Sequence, residues 1–180
     1  MSPRITPASA PYTPVVAKTL ARLKTPGEQP LSLFRTLARD DRLFARFTGG
    51  GLLDPGHLPL SDRELVIHRI CALNGCGYEW GVHAAIFAPA AGLNAHRLAA
   101  TVAPGIAACW NEREALLIAF CDSANGQADI DDALWARLSE TYTAEARLEL
   151  LMLAGFYRTV SLLANSLRLE PEAFGIPFPG

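Results

Sequence analysis

Charge is scarce in this 180-residue sequence, long apolar runs are missing, and cysteines are few. Only 19% of the residues are charged and the net charge is −2. No basic stripe exists to neutralise a phosphate backbone, so nucleic acid is not an expected partner. The longest uninterrupted apolar runs, Ala115–Cys121 and Leu150–Tyr157, fall far short of the ~20 residues a membrane span needs, and no membrane partner is expected. Prolines stand where the apolar segment of a cleavable leader would lie, so the expected location is cytoplasmic. Cys71, Cys76, Cys109 and Cys121 are too sparse for a secreted disulfide framework and are expected to be reduced. The run Gly49-Gly50-Gly51 lacks both the preceding strand and the following Lys-Ser/Thr of a phosphate loop. No segment alternates with period two, which excludes a sheet, and no internal repeat is visible.

What remains is apolar and helical. Half of the residues, 50%, are hydrophobic, enough for a real core and more than a small monomer easily hides, so a homo-oligomer is expected. The chain reads as one all-α domain over residues 15–180 preceded by an arm over 1–14. Four prolines in that arm, Pro3, Pro7, Pro11 and Pro14, forbid a regular helix. Helical periods predict short helices over 15–23, 31–39 and 41–47, then helices over 95–102 and 131–139. Leu134, Trp135 and Leu138 should be buried in the last of these. Asn111 with Glu114 forms a capping box before a core helix that Gly126 should end. Thr143 caps a long final helix to about Leu167, on which Leu148, Leu151, Met152, Gly155, Phe156, Val160, Leu163 and Leu167 keep a helical period.

The organising stretch is Ser61–Leu93, two helices that meet at Asn74-Gly75, a pair suited to a left-handed helix end. Cys76, Glu79 and His83 follow at spacings of three and four, so at about 100° per residue they project from one face. Cys76 falls at a helix start, where free N–H groups favour an anion and lower a thiol's pKa. Tyr78, Trp80, Val82, Ile86 and Phe87 would hold Glu79 and His83 against apolar surface, where each partner's charge depends on the other. In Ser61-Asp62-Arg63-Glu64, Glu64 completes a capping box. His68 could compete as the titrating group, whereas His57 and His96 read as loop and surface residues. Cys71 could pair with Cys76 only if the Asn74-Gly75 turn folds it back into disulfide range. Cys-x-x-Glu-x-x-x-His fits no strong zinc spacing, so no metal is expected.

The pattern of Glu64, Cys76, Glu79, Trp80, His83 and Gly92-Leu93 resembles the carboxymuconolactone decarboxylase family, related to the alkyl-hydroperoxide reductase partner AhpD. The similarity runs from the PRITP segment to Leu162–Glu172. In AhpD-like thiol peroxidases the position of Glu79 is a second cysteine; in the lactone decarboxylases it is a glutamate. The resemblance therefore implies an AhpD-like helical fold and a lyase acting on a small carboxylated lactone or related acid without an organic cofactor. In that role His83 donates the proton, Glu79 orients it, Glu64 completes the relay and Cys76 lines the pocket. The alternatives are a hydroperoxide reductase (peroxiredoxin activity) using Cys76, and a non-catalytic oligomeric binding module.

Overall fold

The computed structural model describes residues 2–23 and 25–179, and among them every regular element is α-helical. In chain order these are α1 (Pro14–Leu20), α2 (Ser32–Leu37), α3 (Asp41–Gly49), α4 (Leu60–Leu73), α5 (Gly77–Ile86), α6 (Ala95–Val102), α7 (Glu112–Gln127), α8 (Asp132–Thr141) and α9 (Ala144–Leu167). The all-α expectation holds. α4 is the central element and packs on α5, α6, α7 and α9. Every residue from Asp62 to Cys71 is buried, so its charged side chains must find partners inside the protein.

Helix ends follow local chemistry at most places. Thr13, Asp40, Asn94, Asn111, Asp131 and Thr143 each accept a backbone N–H in the first turn of the following helix. Asn111 and Glu114 form the full reciprocal box. At α4 the expectation fails: its N-cap is Pro59 without a side-chain bond, and Ser61 lies inside the helix. Glu64 makes no capping bond because its carboxylate is turned inward. α7 runs one residue past Gly126, and Ala128 takes the left-handed conformation that closes it.

The N-terminal arm lies on its own domain. The N–H groups of Arg4 and Ala8 donate to the carbonyls of Leu167 and Arg35, and Arg39 donates to Thr6. The C-terminal tail straps the outside of α5. Tyr78 donates to Glu172 at 2.6 Å, Trp80 meets Phe178 edge-on, and Ile176 N–H donates to the Gly81 carbonyl. A Cβ on Gly81 would meet the Ile176 carbonyl oxygen at 2.5 Å, so this close approach requires glycine.

α9 buries Leu150, Leu153, Ala154, Tyr157, Val160, Ser161 and Ala164. That face is rotated from the expected one, and Leu148, Met152 and Leu162 are exposed at 62%, 60% and 67%. By length and composition alone α9 could cross a bilayer; in this fold it packs against α4, α5, α7 and α8. Trp135 is likewise exposed and Leu134 only half-buried, leaving Leu138 as the buried anchor of α8. Cys109 is half-buried, while the other three cysteines are fully enclosed.

Candidate active site

Three helices supply the site. α4 carries Glu64 and His68 four residues apart, hence on one face. α5 carries Glu79 and His83 at the same spacing, with Cys76 as its N-cap. α9 adds Tyr157 and Ser161. All of these side chains are buried.

His83 is the hub. Its Nδ1 lies 2.7 Å from Glu64 Oε2, and its Nε2 lies 3.1 Å from the Tyr157 hydroxyl and 3.4 Å from Glu79 Oε1. Burial opposes a charge on the ring, but the Glu64 and Glu79 carboxylates outweigh it and hold the imidazole up at about 9. His83 is therefore an imidazolium at neutral pH, donating from Nδ1 to Glu64. Burial alone would push the Glu64 carboxyl up; the charge and hydrogen bond of His83, then His68 and Arg63, bring it below the usual range. Arg63 Nε donates to Glu64 Oε1 at 3.2 Å and its Nη1 to the Leu53 carbonyl at 2.9 Å.

His68 does not compete as the charged group. Burial, then the positive His83, push it down to about 4. Its neutral ring donates from Nδ1 to the Glu64 carbonyl at 2.7 Å, which leaves the buried Nε2 lone pair without a partner. His57 and His96 are exposed. Burial and the nearby carboxylates, Glu79 first, raise the Tyr157 phenol well above its ordinary range, so it keeps its proton.

A cavity of about 250 Å³ opens beside this cluster. Leu33, Phe34, Phe47, Phe156 and Val160 form its apolar wall, and Glu79 and Tyr157 its polar end. Asp54 is the other acidic lining residue, and no lysine or arginine lines the cavity among the described residues. Glu79 Oε2 is buried and unpartnered. His83 does not itself line the cavity; Glu79 and Tyr157, both of which face its Nε2, do.

Cys76 lies beside Glu79, whose backbone N–H donates to the sulfur. A hydrogen bond from the Cys71 thiol is the main influence lowering the Cys76 pKa; burial opposes it, and the Glu79 N–H and Ser161 assist. The turn thus does fold Cys71 back onto Cys76.

The structure brings together all four residues singled out in the sequence: Glu64, Cys76, Glu79 and His83. It adds Tyr157, Arg63 and Ser161, which sequence reasoning missed. Tyr157 had one available signal, a phenol inside the long apolar helix, but the helical period chosen for α9 favoured its neighbour Phe156. Among the described residues, no group of three or more His, Cys, Asp or Glu side chains is arranged to hold a metal ion.

Residues 41–121 match the model of the carboxymuconolactone decarboxylase family, and the fold of the whole chain is that of AhpD-like proteins. It is similar to an uncharacterized peroxidase-related protein with an alkylhydroperoxidase AhpD core from Ralstonia eutropha JMP134 (TM-score 0.81, 18% identity, 96% of this chain and 98% of that chain covered). A peroxidase-related protein from Silicibacter sp. TM1040 is also similar (TM-score 0.78, 17% identity, 96% and 95% covered), as is the debrominase Bmp8 (TM-score 0.79, 17% identity, 95% and 93% covered). No curated protein matches the sequence.

Proposed function

We propose that this protein is a carboxymuconolactone decarboxylase-like lyase that moves a proton on a small ring-shaped acid or lactone held in the cavity beside Glu79 and Tyr157. The observation that carries the reading is the proton path. Glu64 fixes His83 as an imidazolium, His83 Nε2 meets Tyr157 and Glu79, and among the described residues those two connect it to the cavity. With the Nε2 proton donated toward the Tyr157 oxygen, the Tyr157 O–H is free to donate to a bound molecule.

In the reaction the electron pair of the breaking C–C bond moves into the conjugated lactone carbonyl as CO₂ leaves. The resulting dienolate takes a proton from the Tyr157 hydroxyl, which His83 Nε2 replaces. An apolar wall without a cation gives a carboxylate poor solvation in the ground state, and that penalty falls as its charge spreads over the dienolate. The same wall argues for a substrate with a single carboxylate. The cavity's size suits a small ring, and a cysteine-to-alanine variant of the similar debrominase holds one such ring, 2,3,4-tribromopyrrole.

Turnover of a panel of small monocarboxylated lactones, followed by CO₂ release, tests this. We expect activity that survives Cys76→Ser and falls by roughly 10²–10⁴-fold in His83→Gln, the range for loss of an acid–base group. Activity that persists in His83→Gln but disappears in Cys76→Ser would overturn it.

A further inference from the structure

We infer that the cavity beside Glu79 takes a ring that carries a hydroxyl group, and that Glu79 Oε2 selects this ring by accepting the hydroxyl's hydrogen bond. The assignment rests on the cavity being the substrate site, and it narrows the substrate from small ring acids and lactones to hydroxylated ones.

The two carboxylate oxygens of Glu79 differ. Oε1 faces His83 Nε2 at 3.4 Å. Oε2 is buried without a hydrogen-bond partner, and it is the only side-chain oxygen in that condition among the described residues. Glu79 is 7% exposed, and the open space it borders is the cavity. No lining side chain supplies the missing donor. Thr48 directs its hydroxyl proton to the Phe44 carbonyl at 2.8 Å, Asp54 is itself an acceptor, and the other lining residues apart from Tyr157 are apolar or glycine.

A ring that fills this space excludes water, and Glu79 Oε2 is then paired by the ring or by nothing. Sealing the acceptor beneath a ring without a donor forfeits a hydrogen bond that the free protein makes to water, which lowers affinity by roughly 10- to 100-fold. A buried carboxylate oxygen at the end of an apolar cavity is therefore a filter for donors.

The donor it selects is neutral. The His83 imidazolium already stands beside the carboxylate as its counter-charge, and a second cation would meet the repulsion of His83 in a poorly solvated site. On a lactone or acid ring a neutral donor is a hydroxyl. Tyr157 supplies the complementary group. Its oxygen and Glu79 Oε1 meet the same His83 nitrogen, so a ring whose hydroxyl reaches Glu79 brings a nearby carbonyl or ring oxygen within reach of the Tyr157 O–H. A hydroxylated lactone carries both groups, and Phe34, Phe47 and Phe156 wall the space its ring occupies.

The test is binding of 4-fluorophenol, 4-fluorotoluene and 4-fluoroanisole to the full chain, followed by fluorine NMR. Between the first two a methyl replaces the hydroxyl at nearly constant size, and burial alone favours the methyl. We expect the phenol to bind at least ~10-fold tighter than either of the others, and Glu79→Met to bring all three within about 3-fold. Where Glu79→Met does not fold, Glu79→Gln should lose the preference over 4-fluoroanisole, whose oxygen accepts from the new amide N–H. Undetectable binding of the phenol, or binding no tighter than that of the toluene, overturns the proposal without any variant. A preference that survives in the Glu79 variants places the acceptor elsewhere and overturns it as well. Because the readout is binding, a hydroxyl preference without CO₂ release from any lactone removes the lyase reading alone, whereas lactone turnover without the preference removes this assignment alone.

Discussion

α4 serves two buried polar clusters, and they are built differently. On one side Arg69 donates to both carboxylate oxygens of Asp122, at 2.7 and 3.0 Å, and to the carbonyls of Thr101 and Ala103. Nearby, Asp62 accepts from Arg113 and, at 2.7 Å, from the Tyr142 hydroxyl. Neither group contains a buried side-chain atom without a partner. On the other side, Glu64 and His83 are paired, yet His68 Nε2 and Glu79 Oε2 have no partner and both histidines are moved far from 6.5, in opposite directions. Saturated polar groups hold helices together, whereas open valences and displaced protons mark where a ligand or a reaction completes the set.

The sharpest way to break this contrast is Arg69→Met. It leaves two carbonyls unsatisfied while Asp122, partly exposed, rehydrates. We expect a loss of about 3 kcal/mol in urea unfolding, near the low end for breaking a buried pair, with turnover per folded molecule unchanged. A fall in turnover beyond the folded fraction would show that the two clusters are one.

A matched pair of substitutions compares the same atom in both settings. Tyr142→Phe removes a donor to a buried carboxylate and should cost about 1.5 kcal/mol of stability without touching turnover. Tyr157→Phe should cost less than about 1 kcal/mol, because Glu79 still faces His83 Nε2, and should slow turnover at least ~10-fold. Equal stability costs with unchanged turnover would remove Tyr157 from the proton path.

The smallest effect is the dependence on pH. The folded-state value of His83, about 9, lies above the ordinary 6.5. Its contribution to stability is therefore complete below pH 6.5 and declines as pH rises through about 9. The stability difference between wild type and His83→Gln should shrink over that interval. Nitrogen NMR of the two rings should show His83 charged to about pH 9 and His68 neutral down to about pH 4. A His83 resonance titrating near 6.5 would contradict the ion pair with Glu64.

Much of the site was readable before any fold. Asn74-Gly75 marks a helix end because glycine takes the left-handed conformation without a steric penalty, and Cys76, Glu79 and His83 share a face by helical period alone. Glu64 was ambiguous for a physical reason. Ser-x-x-Glu spacing serves a capping box equally well, and only the buried imidazole 19 residues on decides that the carboxylate turns inward. Cys71 was underweighted because the bond between its carbonyl and the Cys76 N–H depends on how the turn closes. Trp135 and the exposed leucines of α9 were misplaced because a wide apolar helix has several candidate inner faces, and its neighbours choose among them.

The sequence by itself determined what is local: nine helices among the described residues, most of their caps, and the thiol–carboxylate–imidazole stripe of α5. These rest on interactions spanning three or four residues, whose geometry a helix imposes. The tertiary structure decided which carboxylate charges His83, that Tyr157 stands between it and the cavity, and which side of α9 faces inward. Those outcomes depend on burial and on charges from distant segments meeting at low dielectric, and no periodicity in the chain encodes them.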